Sequence, residues 1–287
     1  MKKVKHYSDD SLEFHKSVLK AKRNSKADPG YKERMTKCEN VSKEQFEDYD
    51  KRFNNNTLEG MPKKALTESE KDDFLRLYGY SDKCFQDLVE KLSKDENDHI
   101  YPYCPLCDIG ESHSLDHILP KGEYPVLCDH PLNLIRCCTT CNVYKSEIWL
   151  EGGKRKYLDL YIDDVPEVQM LFVRLGLDGD VATYKYEVSD INHPDADLYR
   201  MYKNTFVKLH LAERYLGQTD EEISNIMDDL RPIIEEFSPT DEQLKKQLRS
   251  SAASQQKRHG VNYWRSILKL ALCDDDVMFK WLKGKAS

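Results

Sequence analysis

Residues 104–145 read CPLCDIGESHSLDHILPKGEYPVLCDHPLNLIRCCTTCNVYK, a stretch rich in cysteine, proline and short apolar runs. A Cys-x2-Cys pair lies at each end, Cys104 with Cys107 and Cys138 with Cys141, and thirty residues separate the two pairs. Two such pairs can place four thiolates tetrahedrally around one Zn²⁺, at about 2.3 Å each. The spacing therefore predicts a structural zinc site, and the alternative is a set of buried free thiols.

The other cysteines are not expected to bind metal. The total of nine is odd, and the N-terminus MKKVKHYSDD lacks the apolar stretch of a secretory signal, so we expect no disulfide framework. Cys137 competes with Cys138, but its spacing to Cys141 is one residue too long for a tight knuckle. We interpret five cysteines as core residues: Cys38, Cys84, Cys128, Cys137 and Cys273.

Polar residues suited to phosphodiester hydrolysis lie between and just behind the two cysteine pairs. That reaction needs a base for water, a divalent metal and hard oxygen ligands for the metal. Asp116 and His117 end a short apolar strand, and Asn142 is expected to start a helix behind the second pair. The amide of Asn133 can hydrogen-bond the backbone of the 118–131 loop and so hold the imidazole in place.

The order of these residues resembles the ββα-metal fold of HNH endonucleases, in the branch with a zinc-binding cysteine pair on each side. The resemblance covers about 45 residues and the motif LDHxLPK, then NL, then C-x2-CN-x2-K. It implies that His117 is the general base, that Asp116 and Asn142 bind Mg²⁺ or Mn²⁺, and that Asn133 orients the loop. It also implies hydrolysis of DNA, with Lys121 and Lys145 as the candidate phosphate contacts.

Within that family, the motif looks most like HNH nucleases of bacterial anti-phage systems, the Septu and retron-associated type. The resemblance implies an ATPase partner and a role in antiviral defence in the cytoplasm. The third motif position, which is histidine or asparagine in the family, is Asn142 here, and this choice bears on the metal preference. An HNH unit holds one hydrolytic site, so cutting both strands would require a homo-oligomer or a larger complex.

Two other functions are compatible with these residues. A catalytically silent zinc ribbon that binds nucleic acid or protein needs only the four cysteines, whereas a nuclease also needs Asp116 and His117. The same hydrolytic centre could also cut RNA. His113 lies four residues before His117 and could line the site, but an isolated histidine is more often a surface or core residue.

The rest of the chain predicts an α+β protein that is mainly helical, with the HNH core embedded between helical regions. We expect three regions: 1–100 helical, 101–150 the nuclease core with its zinc site, and 151–287 mostly helical with a small hairpin. The predicted hairpin strands are 168–175 and 181–188, joined by a turn at Asp178-Gly179. Helix starts are expected at Ser42 and Thr67, and a helical stripe is expected to end before Pro232.

Charge and hydropathy restrict the functional classes further. The formal net charge is −7, and residues 101–150 contain three basic and six acidic side chains, which argues against tight DNA binding by this chain alone. A partner, or the basic stretches near the two ends, would then supply affinity. No run of 18 apolar residues occurs, so we expect no membrane association.

Overall fold

The computed structural model describes residues 1, 3–94, 99–164 and 167–286. The chain forms two compact units. The N-terminal unit is Lys3–Asp164, and the C-terminal unit comprises the described residues of Val165–Ser287 together with Met1. The regions 1–100 and 101–150 that we distinguished by sequence therefore lie in the same compact unit.

The N-terminal unit combines short helices with two small antiparallel hairpins. Its helices are α1 Ser11–Ala21, α2 Tyr31–Lys37, α3 Glu39–Asn54, α4 Glu68–Leu75, α5 Lys83–Leu92 and α6 Thr139–Lys145. Its strands are β1 Ser114–His117 paired with β2 Leu134–Cys137, and β3 Leu150–Glu151 paired with β4 Lys154–Arg155. Between β1 and β2, short 3₁₀ turns at Pro125–Leu127 and Pro131–Asn133 shape the connecting loop.

The C-terminal unit places one hairpin on a set of longer helices. Its elements are β5 Leu171–Asp178, β6 Val181–Val188, α7 Ala196–Lys208, α8 Leu211–Phe237, α9 Asp241–His259, α10 Trp264–Asp274 and α11 Asp276–Ala286. Side chains of α8 to α11 form the core, and Val173 and Leu175 of β5 pack against it. The predictions of a mainly helical α+β fold and of a hairpin around Asp178-Gly179 are confirmed.

Several helix boundaries differ from those predicted. Ser42 lies inside α3, because α3 begins at Glu39 and the Ser42 side chain is buried. Asn142 lies inside α6, which begins at Thr139 with Cys138 as its N-cap. α8 continues through Pro232, since Ile233 and Ile234 beyond it still pack against the core of the C-terminal unit. The start at Thr67 is confirmed by a capping box with Glu70.

The pairing of β1 with β2, followed by α6, brings the predicted site residues onto adjoining elements. Ser114 pairs with Cys137 and His117 pairs with Leu134, so the two strands are joined end to end by the 118–133 loop. α6 contacts β1, which sets the third motif position, Asn142, beside the strand. The local order is therefore strand, strand, helix.

The hairpin is anchored in a core built by the preceding helices. Leu115 of β1 and Leu134 of β2 are buried in the same apolar cluster as Phe14 of α1, Phe74 of α4 and Phe85 of α5. Burial of a large apolar side chain contributes about 1.5–3 kcal/mol. A four-residue strand pair cannot supply such a core alone, so the helices of residues 11–92 determine where the hairpin lies.

Across the described ranges, every helix is too short or too polar to span a bilayer.

Candidate metal centre and adjoining polar site

The four cysteines of the two pairs converge in the structure. Cys104, Cys107, Cys138 and Cys141 are buried, and their sulfur atoms all lie within 4.8 Å of one another. The Sγ atoms of Cys107 and Cys138 are 3.8 Å apart. Four sulfurs at about 2.3 Å from a central ion in tetrahedral arrangement are about 3.8 Å apart. The donor set and its spacing therefore fit a structural zinc ion.

The first cysteine pair lies on a tight turn whose backbone closes around the sulfurs. The amide of Cys104 donates to the carbonyl of Gly110, and the amide of Asp108 donates to that of Cys104. Asp108 has a positive φ of 55°, and its carboxylate accepts a hydrogen bond from Tyr101. A Cβ atom on Gly110 would lie 3.2 Å from Cβ of Cys138. Glycine at this position thus permits the first turn to approach the second cysteine pair closely.

The second cysteine pair lies at the N-terminus of α6. Cys138 is the N-cap residue, and its sulfur accepts a hydrogen bond from the amide of Cys141. Hydrogen bonds from the Cys104 and Cys107 thiols lower the pKa of Cys138 well below its usual range. An easily formed thiolate favours metal binding, because the thiolate is the metal ligand. Cys137, the competitor in the sequence, instead lies beside the Ser114 hydroxyl at 3.2 Å.

His117 is held by a backbone acceptor in the loop that follows it. Its Nε2 lies 2.9 Å from the carbonyl oxygen of Cys128. A carbonyl oxygen can only accept, so Nε2 carries the hydrogen and Nδ1 is left as an acceptor. The half-buried ring also meets the edge of Tyr78, with ring centres 4.7 Å apart. Burial lowers the pKa of His117 to about 3, and the positive charges of Lys121 and Lys145 add to the decrease.

The buried Asn133 amide holds the loop between the two strands. Its Oδ1 accepts a hydrogen bond from the amide of Leu119, and its Nδ2 donates to the carbonyls of Leu119 and Leu127. Tyr49 of α3 also donates to its Oδ1. These hydrogen bonds are made with the 118–131 loop, as we predicted from the sequence.

Asp116 faces α6 and is paired with a lysine. Nζ of Lys145 lies 2.5 Å from Oδ2 of Asp116 and also donates to the carbonyl of His117. Nδ2 of Asn142 donates to the hydroxyl of Ser114 and the carbonyl of Leu115. Strand alternation thus directs Asp116 to the helix while the neighbouring His117 packs against Tyr78.

The donor types at Asp116 and Asn142 fit a hard divalent cation. Mg²⁺ is commonly bound by one or two carboxylates and keeps several waters, so one carboxylate and one amide oxygen are within its ordinary range. An ion at Asp116 would share the carboxylate with the Lys145 ammonium. The residues therefore fit the ion in chemistry, with Lys145 as a neighbouring cation.

One of the two predicted phosphate contacts, Lys121, lies near the aromatic ring that packs against His117. Nζ of the exposed Lys121 is 5.3 Å from the centre of the Tyr78 ring, which also contacts His117. His113 points elsewhere: it is exposed and pairs with Glu111 at 3.0 Å. The structure brings together Asp116, His117, Lys121 and Lys145.

Two features of this site were missed by sequence reasoning. Tyr78 donates to the Leu115 carbonyl and contacts the His117 ring, yet it lies 39 residues before His117 and was assigned no role from the sequence. A buried pair of His15 and Asp129 lies next to Cys128. The sequence has no local signal for either, because both contacts join residues far apart in the chain.

The chain is similar to "Protein ea31" of Escherichia phage lambda, with 24% identity over 190 residues. The aligned part covers 62% of this chain and 63% of the phage protein, so the chain spans less than two thirds of that relative's length. No family model matches the chain. No solved structure matches it.

We predict that the purified protein contains about one zinc per chain and that Cys104→Ser loses both the zinc and thermal stability. A structural site contributes its binding free energy to folding, so removing one ligand destabilises the folded state. The measurement is elemental analysis combined with a melting curve. Cys137→Ser is the matched control, because Cys137 is buried next to Cys138 and should leave the zinc content unchanged. Absence of zinc from the wild-type protein would refute the four-cysteine site.

We predict that His117 stays neutral, with hydrogen on Nε2, from pH 8 down to about pH 5. Its lowered pKa means that, below the unfolded value of about 6.5, the unfolded chain binds a proton that the folded chain does not. The contribution of this residue to stability is thus present above that value and is lost as the pH falls towards 3. Imidazole ¹⁵N chemical shifts report the tautomer and the titration. A midpoint near pH 6.5 for His117 would contradict the prediction.

Proposed function

We propose that this protein is a metal-dependent endonuclease of the HNH type that hydrolyses phosphodiester bonds of DNA. The observation that carries the proposal is the contact of His117 Nε2 with the Cys128 carbonyl, which leaves Nδ1 unprotonated as a base. Lys121 and Lys145 lie near the same ring and supply positive charge for a phosphate. The strand-strand-helix order and the four-cysteine cluster agree with the resemblance drawn from the sequence.

The residues divide the chemistry among themselves. Nδ1 of His117 accepts the proton of the attacking water, and Asn133 keeps the loop that carries the Cys128 acceptor in place. Asp116 and Asn142 would hold a divalent cation, which would supply positive charge for the phosphate and the leaving oxygen. Lys145 holds the Asp116 carboxylate through the ion pair and extends towards the His117 backbone.

A pKa near 3, caused mainly by burial, makes His117 a weak base in the free protein, and a bound phosphate would offset part of this decrease. Lys121 and Lys145 both lower the pKa of His117. A phosphate that pairs with these lysines would cancel their part of the decrease but not the larger part that is due to burial, so the pKa would rise only part of the way towards the working pH. General bases act best when their pKa is near that pH. The proposed base is thus strengthened when a phosphate arrives.

A second candidate is a silent zinc module that binds nucleic acid or protein. The Asp116–Lys145 ion pair favours it, because the carboxylate is already neutralised without a metal. The four-cysteine cluster alone suffices for such a module. The half-buried imidazole with a free acceptor nitrogen has no role there, which is why we prefer the nuclease. RNA as the substrate would use the same groups.

The biological setting follows from the resemblance and the charge. We propose a cytoplasmic effector of an anti-phage system that works with an ATPase partner. The net charge of −7 supports a partner, because the chain by itself offers little bulk attraction for DNA. One hydrolytic site nicks one strand, so breaking both strands would take two copies.

We predict that His117→Ala abolishes cleavage while zinc content and fold are retained. Removing the base should lower the rate at least about 100-fold. The assay incubates protein and Mg²⁺ or Mn²⁺ with plasmid, linear duplex, single-stranded DNA and RNA. His113→Ala is the matched control, since His113 is an exposed histidine four residues away and should cut at the wild-type rate. Equal cleavage by His117→Ala would remove His117 as the base.

We predict that brief EDTA treatment stops cleavage while the zinc is retained. A cation held by one carboxylate and one amide exchanges quickly, whereas four buried thiolates release zinc slowly. Adding Mg²⁺ should then restore activity without added zinc. Cleavage is followed by gel and zinc by elemental analysis of the same sample. Activity that persists in EDTA with full zinc content would contradict a second, catalytic metal.

A further inference from the structure

A buried hydrogen bond between a histidine and an aspartate joins α1 to the loop that holds His117. Nδ1 of His15 lies 2.7 Å from Oδ2 of Asp129, and the two side chains are 2% and 0% exposed. The two residues are 114 positions apart in the chain. Burial lowers the pKa of His15, but the charge and hydrogen bond of Asp129 outweigh it, so the pKa of His15 is raised overall. Nδ1 of His15 is therefore the donor to the Asp129 carboxylate.

Stability alone does not explain such a pair. Taking two polar side chains out of water costs free energy wherever their polar atoms stay unpaired, and well-packed apolar residues of similar size are often as stabilising or more so. The surroundings of His15 are apolar and aromatic, with Phe46 at a ring distance of 5.0 Å. Further polar atoms of the pair, Nε2 of His15 and Oδ1 of Asp129, are buried with no hydrogen-bond partner among the described residues. A role in holding the surrounding backbone in one geometry explains better why this buried pair is present.

Asp129 adjoins the acceptor that orients the proposed base. The carbonyl of Cys128, which accepts from Nε2 of His117, belongs to the peptide group between Cys128 and Asp129. The Asp129 side chain fixes one flank of this peptide on α1 through His15. On the other flank, the Cys128 thiol lies 2.9 Å from the carbonyl oxygen of Phe74, at the end of α4. Rotation of the peptide plane would move the acceptor and release the imidazole.

α3 packs against His15 and against the loop residues next to Asp129. The ring of Phe46 lies between the imidazoles of His15 and His130, at 5.0 and 4.2 Å between ring centres. Tyr49 packs on His130 at 4.4 Å and donates to the carbonyl of Leu132. The loop residues on both sides of Asp129 are thus supported by α1, α3 and α4.

We propose that His15 and Asp129 are positioning residues for His117: the hydrogen bond between them fixes the Cys128–Asp129 peptide and so holds the imidazole with Nδ1 as its acceptor. The catalytic consequence rests on the proposed role of His117 as base. The proposed effect on the orientation of the His117 ring does not depend on that catalytic role. The functional unit therefore includes α1, outside the segment that carries the motif.

The test compares full-length His15→Leu with His15→Asn. Leucine removes the hydrogen bond, whereas the asparagine Nδ2 can replace Nδ1 of histidine as the donor to Asp129. In His15→Leu we expect the His117 ¹⁵N signals to lose the Nε2–H tautomer signature, and we expect cleavage to fall about 10- to 100-fold. His15→Asn should restore both. The double variant His15→Leu with Asp129→Leu avoids a buried unpaired charge, and it should show the same altered signals if the single variant does not fold.

Val18→Ala controls for simple loss of stability, since Val18 is a fully buried residue one turn further along α1. It should lower the melting temperature and leave the His117 signals unchanged. The proposal is overturned if the folded double variant keeps the wild-type His117 signals, or if Val18→Ala shifts them as much as His15→Leu. Failure of the proposed nuclease function is seen separately, as wild-type protein that cuts no substrate, and the ¹⁵N signals still decide the positioning role.

Discussion

The convergence of four sulfur atoms within 4.8 Å sets the geometry of the whole motif segment. The first cysteine pair precedes β1, and the second begins α6 directly after β2. Bringing the pairs together closes the segment on itself, so β1, the loop and β2 have little freedom to separate. A structural metal at this point would contribute folding free energy to a region whose strands are only four residues long.

Packing against helices outside the motif segment fixes the position of the hairpin, in addition to the convergence of the cysteines. Leu115 and Leu134 are buried against helices α1, α4 and α5, so the hairpin occupies one position in the unit. The amide of Asn133 then fixes the loop, with Tyr49 of α3 as a further donor. The geometry of the candidate site therefore depends on residues 11–92 as much as on the motif itself. This explains why the two sequence regions form a single compact unit.

The electrostatics of the polar site follow from a small number of cations beside a half-buried imidazole. Burial and two lysines keep His117 neutral, while the ion pair of Lys145 with Asp116 balances the carboxylate next to it. A phosphate or a divalent cation would change both relationships at once. The electrostatics of the polar site therefore depend on whether such a ligand is bound.

The sequence by itself determined the four converging cysteines, the mainly helical α+β class, the hairpin at Asp178-Gly179 and the loop contacts of Asn133, because each depends on local spacing, turn chemistry or alternation. The predicted helix starts at Ser42 and Asn142 were wrong, because α3 and α6 begin three residues earlier in each case. Several residues near a helix start can serve as its cap, and tertiary packing determines which one does. Only the tertiary structure decided that Lys145 pairs with Asp116, that Tyr78 supports His117, and that His15 reaches Asp129. These contacts join residues 29, 39 and 114 positions apart. These contacts form only when the helices pack together, so no local sequence pattern predicts them.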